Sequence, residues 1–319
     1  MKFRTKIKIP KEKKAIDYNS KIVLFGSCFT ENIETHFNHF KFQNTSNSHG
    51  ILFNPKSIET AIDDCVNKKE YNQHDLSYFD DVWLSFNHHT KFSSAYLAEI
   101  LYQINKEITN THEVLINASH VLITLGTSWV YRYNETENLV ANCHKVSQRN
   151  FKKELLSIDE NIEIIRQMTS LIHRINNKAT VIFTVSPVRH LKDGFIENTQ
   201  SKASLLTAIH QVIDNKTAFY FPSYEIMMDD LRDYRFYKKD LLHPNEIAMD
   251  YIWGIFKQAW ISEKSHPMMK EIDNIQKSLN HKPFREDSEK HQQFLKNLED
   301  KIEIVTKKFP QMNFKKKTV

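Results

Sequence analysis

Residues 21–30 read KIVLFGSCFT, and this stretch indicates the fold class. The apolar run KIVLF predicts a buried β-strand, and Gly26 predicts the tight turn that ends it. From residue 29 to residue 40 the apolar side chains Phe, Ile, Phe and Phe follow helical spacing, so a helix comes directly after the turn. A strand, a glycine turn and a helix in this order are typical of a parallel α/β domain.

Three further apolar runs predict strands of the same sheet. They are HVLITL at 120–125, ATVIFTV at 179–185 and TAFYF at 217–221. Helical patterns lie between and around these runs, at 56–67, 93–110, 151–176, 198–214 and 244–261. The alternation predicts a doubly wound parallel sheet in a three-layer α/β/α sandwich. Residues 129–143 have two β-rich arms around the polar turn NETEN, which predicts an inserted β-hairpin.

Composition excludes several classes of protein. The 319 residues are 40% hydrophobic and 26% charged, which permits a sizeable core. Of the net charge of +5, residues 261–319 carry +4, so the remainder of the chain is nearly neutral, unlike a nucleic-acid-binding domain. No run of eighteen apolar residues predicts a membrane span, and the charged start of the chain lacks a secretory pattern, so we expect a cytoplasmic protein. Three cysteines without ligand spacing predict neither disulfides nor a metal site.

The charge distribution also predicts how the chain is divided. We expect one catalytic domain at 1–262 and a charged helical C-terminal extension at 263–319. The chain has only five glycines, and three of them, Gly26, Gly50 and Gly126, lie at strand ends or in the loops that follow. Glycine allows positive φ and close approach of a ligand, so we expect a site built from these loops.

Ser27 stands at the carboxyl end of the first strand and at the start of a helix. A serine hydroxyl there could attack a carbonyl while backbone N–H groups hold the oxyanion, although this position taken alone is more typical of a simple N-cap serine. Asp240 precedes His243 by three residues, just before the helix that Pro244 begins. An aspartate so placed could orient a histidine that takes the serine proton. The alternative is a pair of ordinary polar turn residues.

The residues around Ser27 resemble the GSCFA family, which is placed among the SGNH (GDSL-like) hydrolases. Thr30 stands where the motif has alanine. Further blocks that resemble the family are HGILFNPKSI (49–58), ITLGTSWVY (123–131), VANCHK (140–145), TVSPVRHLKDGF (184–195), SK (201–202) and DLLHPNEIAMDYIW (240–253). The resemblance implies an SGNH-type fold with Ser27 as nucleophile, His243 as general base and Asp240 as its orienting partner.

The resemblance also implies an oxyanion hole, which we expect to include the Ser27 N–H. Gly50 is the candidate for its loop glycine, and Gly126 matches the glycine of a Gly-x-Asn-Asp block. Ser128 occupies the asparagine position of that block, so either Ser128 donates in its place or Asn142 from the hairpin does.

Four other residues are candidates near this site. Cys28 is a rival nucleophile, although it lies one step into the helix and has no assigned base. Trp129 is the candidate for a pocket wall. Arg189 and His190 follow a strand end and could hold an anionic group or a sugar, or could simply pack in their loop.

The resemblance, together with the strand–Gly–Ser–helix opening and the Asp240–His243 pair, implies a serine esterase that acts on a small acyl ester, with an O-acetylated carbohydrate as the candidate substrate. No cofactor or metal is expected for this chemistry, and neither nucleic acid nor membrane is an expected partner. Two alternatives remain open. One is an O-acyltransferase with the same nucleophile, and the other is a non-catalytic carbohydrate-binding or interaction protein.

Overall fold

The structure is a computed structural model that describes residues 4–285 and 287–314. Its strands are β1 (Lys21–Gly26), β2 (Gln43–Ser46), β3 (Ser77–Phe79), β4 (Val82–Leu84), β5 (His120–Leu125), β6 (Trp129–Tyr133), β7 (Leu139–Val140), β8 (Phe151–Leu155), β9 (Thr180–Val185) and β10 (Ala218–Tyr220). Its α-helices are α1 (Cys28–His39), α2 (Pro55–Asn67), α3 (Leu97–Leu115), α4 (Ile158–Ile175), α5 (Phe195–Val212), α6 (Ser223–Glu225), α7 (Glu246–Trp260), α8 (His266–Leu279) and α9 (Glu289–Lys308).

Five strands form a central parallel sheet in the order β10-β9-β5-β1-β2. The chain moves from β1 outward to β2 and then returns to the other side of β1 for β5, β9 and β10. Gly26 pairs with Thr124, so β1 and β5 end at nearly the same level. A reversal of strand order opens a crevice at the carboxyl edge of a parallel sheet, and the turn after β1 lies there.

Helices cover both faces of this sheet, as the apolar strand sequences predicted. Alternate residues of β1 enter opposite cores: Leu24 packs with α1, α7 and α8, whereas Val23 packs with α2, α4 and α5. Strands buried on both faces need apolar side chains at every position, which explains the continuous run in β1. The structure therefore confirms a mixed α/β fold with a central parallel sheet flanked by helices.

Several short strands differ from the sequence-based expectation. β2 has the polar sequence QNTS and lies at the edge of the sheet, so it lacks the apolar signal of the inner strands. β6 and β7 pair antiparallel as the expected hairpin, but β8 joins β6 as a third strand. The helix predicted from residue 151 accordingly begins only at Ile158, where Ser157 caps it. The antiparallel pair β3–β4 was not predicted.

The C-terminal helices pack onto the body of the protein. Met269, Ile272 and Ile275 of α8 and Leu298 and Val305 of α9 are buried in the same hydrophobic cluster as α1 and α7. The division at residue 262 remains a prediction, and residues 315–319 of the extension lie outside the described residues. The buried contacts show that both helices contribute to the core beside α1.

Candidate active site

The turn after β1 holds Ser27 at the carboxyl edge of the central sheet. Gly26 has a φ of +139°, and a Cβ on it would lie 2.2 Å from the Thr124 carbonyl oxygen, so this position requires glycine. The Gly26 N–H donates to Asn47 Oδ1 (2.9 Å), and its carbonyl accepts from the Leu52 N–H (3.0 Å). The loop after β2 therefore fixes the backbone beside Ser27.

Ser27 is the N-cap of α1, and its Oγ accepts a hydrogen bond from the Phe29 N–H at 3.4 Å. Its exposed fraction is 0%, so the hydroxyl is closed to solvent in this conformation. Burial and the nearby Glu31 carboxylate raise the pKa of the adjacent Cys28 thiol. A raised thiol pKa disfavours the thiolate, and this weakens the case for Cys28 as nucleophile.

Asp240 and His243 form a hydrogen-bonded pair in the loop before α7. Asp240 Oδ2 lies 2.7 Å from His243 Nδ1, and Asp240 Oδ1 accepts from the Leu242 N–H (2.9 Å) and the His243 N–H (3.0 Å). The backbone donors lower the pKa of the Asp240 carboxyl to about 2. The side chains of Asp240 and His243 are 43% and 39% exposed, so this pair is open to a ligand.

The loop after β9 connects the two parts of the site. The Arg189 N–H donates to the Leu242 carbonyl (3.3 Å), which ties this loop to the segment that carries His243. His190 Nε2 lies only 3.3 Å from the position that a Cβ on Gly126 would take, so its ring packs against the end of β5. Among the residues that the structure describes, no hydrogen bond joins Ser27 to His243.

Most of the proposed oxyanion donors are engaged elsewhere. The Gly50 N–H donates to the Asn47 carbonyl (2.8 Å), and the Gly126 N–H donates to the Phe53 carbonyl (2.7 Å). The Ser128 hydroxyl donates to the Ser201 carbonyl (3.2 Å) and is fully buried.

Asn142 follows β7 in the smaller sheet, where its Oδ1 accepts from the His144 N–H at 2.8 Å. In this structure Gly50, Gly126 and Ser128 therefore hold the loops, whereas Asn142 lies in a turn of the smaller sheet.

Of the three candidates for substrate contact, Trp129 begins β6, whereas Arg189 and His190 are neighbours in the loop after β9. Trp129 Nε1 donates to the Glu197 carbonyl (3.3 Å), and the Lys153 ammonium lies 4.5 Å from its ring centroid. The Arg189 guanidinium lies over the rings of Tyr234 and Tyr237, at 5.3 and 4.5 Å from their centroids.

His190 Nε2 is buried and has no hydrogen-bond partner among the described residues. Burial, with Lys202 and His243 nearby, lowers the pKa of His190 to about 3. This imidazole is therefore neutral at ordinary pH.

A second serine–histidine–aspartate arrangement lies beneath the loop after β2, and sequence analysis missed it. Ser48 Oγ is 3.0 Å from His49 Nδ1, and His49 Nε2 is 2.9 Å from Asp64 Oδ2. The Tyr71 hydroxyl also donates to Asp64 (2.7 Å), and the His88 ring stacks on His49 at 4.1 Å. All of these residues are at least 96% buried, so the cluster supports the loop and is closed to substrate.

Comparison with known proteins decides the family. Residues 21–256, more than half of the chain, match the model of the GSCFA family. The chain belongs to the GSCFA family. Residues 272–318 of this GSCFA chain match a second model, the C-terminal domain of GSCFA domain proteins. The family predicted from the motif at residues 26–29 is thus confirmed.

Similarity beyond the family is weak. No curated protein matches this GSCFA chain. A solved structure of an acetyl xylan esterase (Est2A) from the rumen bacterium Butyrivibrio proteoclasticus is similar with a TM-score of 0.33 and 9% sequence identity. The match covers 65% of this chain and 56% of that one, so the chain spans little more than half of that protein. A TM-score this low supports no argument about activity.

Lys202 of α5, part of the block SK (201–202), is a further residue of this GSCFA chain to which the sequence analysis assigned no role. It is 1% exposed, and its Nζ donates to the carbonyls of Gly126 (2.6 Å) and Ser186 (2.7 Å), which follow β5 and β9. Burial lowers the pKa of Lys202 to about 7. Lysine is rarely buried without a partner, and the signal in the sequence was the block SK (201–202), which resembles the family but did not indicate what the lysine contacts.

Neither a metal-binding cluster nor a membrane-spanning helix is found in the described parts of the chain. Residues 4–285 and 287–314 contain no group of three or more His, Cys, Asp or Glu side chains that could hold a metal ion. None of the helices described has the length and apolar character needed to cross a membrane.

Proposed function

We propose that this protein is a serine esterase with an SGNH-type fold, in which Ser27 is the nucleophile, His243 the general base and Asp240 its orienting partner. The observation that carries the proposal is the 2.7 Å hydrogen bond from His243 Nδ1 to Asp240 Oδ2 at the carboxyl edge of the sheet. This bond fixes the imidazole tautomer and leaves Nε2 to accept a proton. The low pKa of Asp240 keeps its carboxylate charged while the imidazolium forms.

The proposed reaction has two halves. Ser27 Oγ bonds to the ester carbonyl carbon, its proton passes to His243 Nε2, and the carbonyl electron pair moves onto oxygen. The bond to the alcohol then breaks, and the alcohol takes the proton from His243. Water repeats the sequence on the acyl-enzyme and releases the acid and Ser27.

The oxyanion needs donors that the fold has not already used. We assign this role to the Ser27 N–H at the start of α1 and to His190 Nε2–H, which is buried without a protein partner. The lowered pKa of His190 suits the role, because a neutral imidazole can donate to the oxyanion but is too weak a base to take the serine proton. Asn142 remains a candidate third donor.

The substrate that we propose is an acylated carbohydrate. The rings of Tyr234 and Tyr237, with the Arg189 guanidinium that lies over them, border a small cavity of about 90 Å³, which suits one small substituent of the substrate. The Arg189 guanidinium contacts Tyr234 and Tyr237 and no carboxylate among the described residues, so we assign it the role of holding an anionic substituent. We assign Trp129 as an outer wall of the cleft.

Burial of Ser27 sets a condition on this proposal. A substrate can reach a hydroxyl with an exposed fraction of 0% only after a neighbouring segment moves. The hydrogen bond between Ser27 and His243 must form in the same step, as often occurs when catalytic groups tighten around a substrate. The burial of Ser27 and the absence of its hydrogen bond to His243 also favour a second candidate function, a non-catalytic carbohydrate-binding protein that has kept the fold.

Turnover of p-nitrophenyl acetate separates these functions. We expect the wild type to release p-nitrophenol and Ser27→Ala to lose the activity, while Cys28→Ala, the matched control at the next residue, retains it. An O-acyltransferase would release p-nitrophenol much faster when a sugar acceptor is added. Activity that survives in Ser27→Ala and is lost in Cys28→Ala would overturn the choice of nucleophile, and no turnover in any variant would favour the binding function.

A further inference from the structure

Lys202 is a buried amine that has no counterion among the residues that the structure describes. Its side chain is among the largest that are fully buried, and its two hydrogen bonds go to backbone carbonyls. Within residues 4–285 and 287–314 its Nζ donates to these two carbonyls, and no carboxylate is among the groups that shift its pKa. Burying a charge without a counterion is costly, so a role in the site would explain why this one is kept.

The titratable groups that face Lys202 do not supply the missing charge. They are Cys28 at the start of α1, His190 in the loop after β9 and Tyr224 of α6, whose ring centroid lies 5.8 Å from Nζ. Burial raises the pKa of the Cys28 thiol and of the Tyr224 hydroxyl, and it lowers the pKa of His190. All three groups are therefore uncharged at neutral pH, and β5 and β9 contribute only carbonyl oxygens.

The two carbonyls that Lys202 binds indicate how its positive charge could affect the site. Gly126 and Ser186 follow neighbouring parallel strands, and their oxygens lie at the edge of the sheet where Ser27 stands. Such oxygens carry partial negative charge and would oppose an oxyanion beside them. An ammonium bonded to both reverses the local potential, and buried charge interactions are weakly screened.

We propose that Lys202 is a positioning residue of this site, whose buried ammonium holds the strand ends after β5 and β9 and favours the negative charge that develops when Ser27 attacks an ester. The inference rests on the proposed function of Ser27. Lys202 exchanges no atom with the substrate, since the serine proton passes to His243 and the carbonyl electron pair moves to the ester oxygen. The positive charge of Lys202 acts on the ester oxygen from a distance, by offsetting the partial negative charge of the Gly126 and Ser186 carbonyls.

Two substitutions separate the charge of Lys202 from its hydrogen bonds. Lys202→Met removes both, whereas Lys202→Gln keeps N–H donors for the carbonyls without the charge. We expect kcat for p-nitrophenyl acetate to fall about 10²-fold in both variants, with KM little changed, because the lost interaction matters mainly in the transition state. Ile209→Val, a core truncation on the same helix, is the control and should keep the wild-type kcat.

The pH profile gives a readout that a purely structural lysine would not change. With a pKa lowered to about 7, Lys202 loses its charge as the pH rises through that value, so wild-type kcat should fall on the alkaline side. On the acid side kcat should also fall, because the general base becomes protonated. In Lys202→Met and Lys202→Gln the alkaline fall should be absent.

Three results would overturn the proposal. Wild-type kcat in Lys202→Gln would show that hydrogen bonding alone is needed, and an alkaline fall that persists in either variant would assign it to another group. If Lys202→Met does not fold, the kcat of Lys202→Gln and the comparison of its pH profile with that of the wild type still test the proposal. A wild type without turnover would overturn the proposed function itself, and this inference would fall with it.

Discussion

Two histidine–aspartate pairs in this molecule have almost the same geometry and opposite surroundings. His243 and Asp240 are joined at 2.7 Å in an exposed loop, and His49 and Asp64 are joined at 2.9 Å in the interior. In the second pair the other imidazole nitrogen already contacts Ser48, which completes the connectivity of a catalytic triad. The first pair has no such contact with Ser27 in this conformation.

The difference shows that connectivity alone does not define an active site. The His49–Asp64 cluster excludes substrate, and its hydrogen bonds satisfy polar groups that the core would otherwise leave unpaired. The Asp240–His243 pair keeps one imidazole nitrogen for a ligand, beside the strand ends where parallel sheets bind their substrates. We therefore assign stability to the buried pair and catalysis to the exposed pair.

Asp240→Asn should have the largest effect, and the effect should be on rate. The amide favours the wrong histidine tautomer, and loss of the equivalent carboxylate in a serine triad lowers kcat by ~10⁴-fold. Asp250→Asn is a control, since Asp250 is an exposed residue of α7, the helix that follows, and forms its ion pair with His36. Steady-state kinetics of both variants give the comparison. A near-wild-type kcat for Asp240→Asn would leave at most a Ser27–His243 dyad.

Asp64→Asn should have the converse effect. Its carboxylate accepts from His49 and Tyr71 in the interior, so the free energy of unfolding should fall by about 2–4 kcal/mol. kcat should change less than about tenfold, because Asp64 lies outside the proposed catalytic groups. Urea unfolding and kinetics test this, with the neighbouring Asp63→Asn as control. A large loss of kcat with unchanged stability would reverse our assignment of the two pairs.

The smallest expected effect is the pH dependence of stability at Asp240. Its folded pKa of about 2 lies below the ordinary value, so its contribution to stability is present above about pH 4 and is lost as the pH falls through 2. The contribution should be small, because the side chain is solvent-exposed. Urea unfolding between pH 2 and pH 6 should show wild type and Asp240→Asn converging at the acid end. A constant difference across this range would contradict the assigned cause of the pKa shift.

The inner strands of the sheet could be predicted because each is buried on both faces. β1, β5 and β9 have continuous apolar runs that end at Gly26, Gly126 and Ser186. β2 and β8 have polar sequences, since one is an edge strand and the other lies in the small sheet, so neither carried that signal. β2 and β8 are recognised as strands only from their pairing with β1 and β6.

The chemistry of the candidate site was only partly predictable. Asp240 and His243 are three residues apart, so one loop can bring them together, and the sequence suggested the pair. His49 and Asp64 meet only because α2 folds back beneath the loop after β2. Lys202 acquires its contacts from the ends of two strands that the sequence does not align with α5.

Labelling with a fluorophosphonate probe is the sharpest test of Ser27 as the nucleophile, because the probe bonds only to a serine that an active site has made nucleophilic. We predict that the wild type and Cys28→Ala are modified on the peptide that contains Ser27, that Ser27→Ala is not modified, and that His243→Ala reacts far more slowly. Peptide mass spectrometry identifies the modified residue. A probe found on another serine, or a folded wild type that is not labelled at Ser27, would contradict the account.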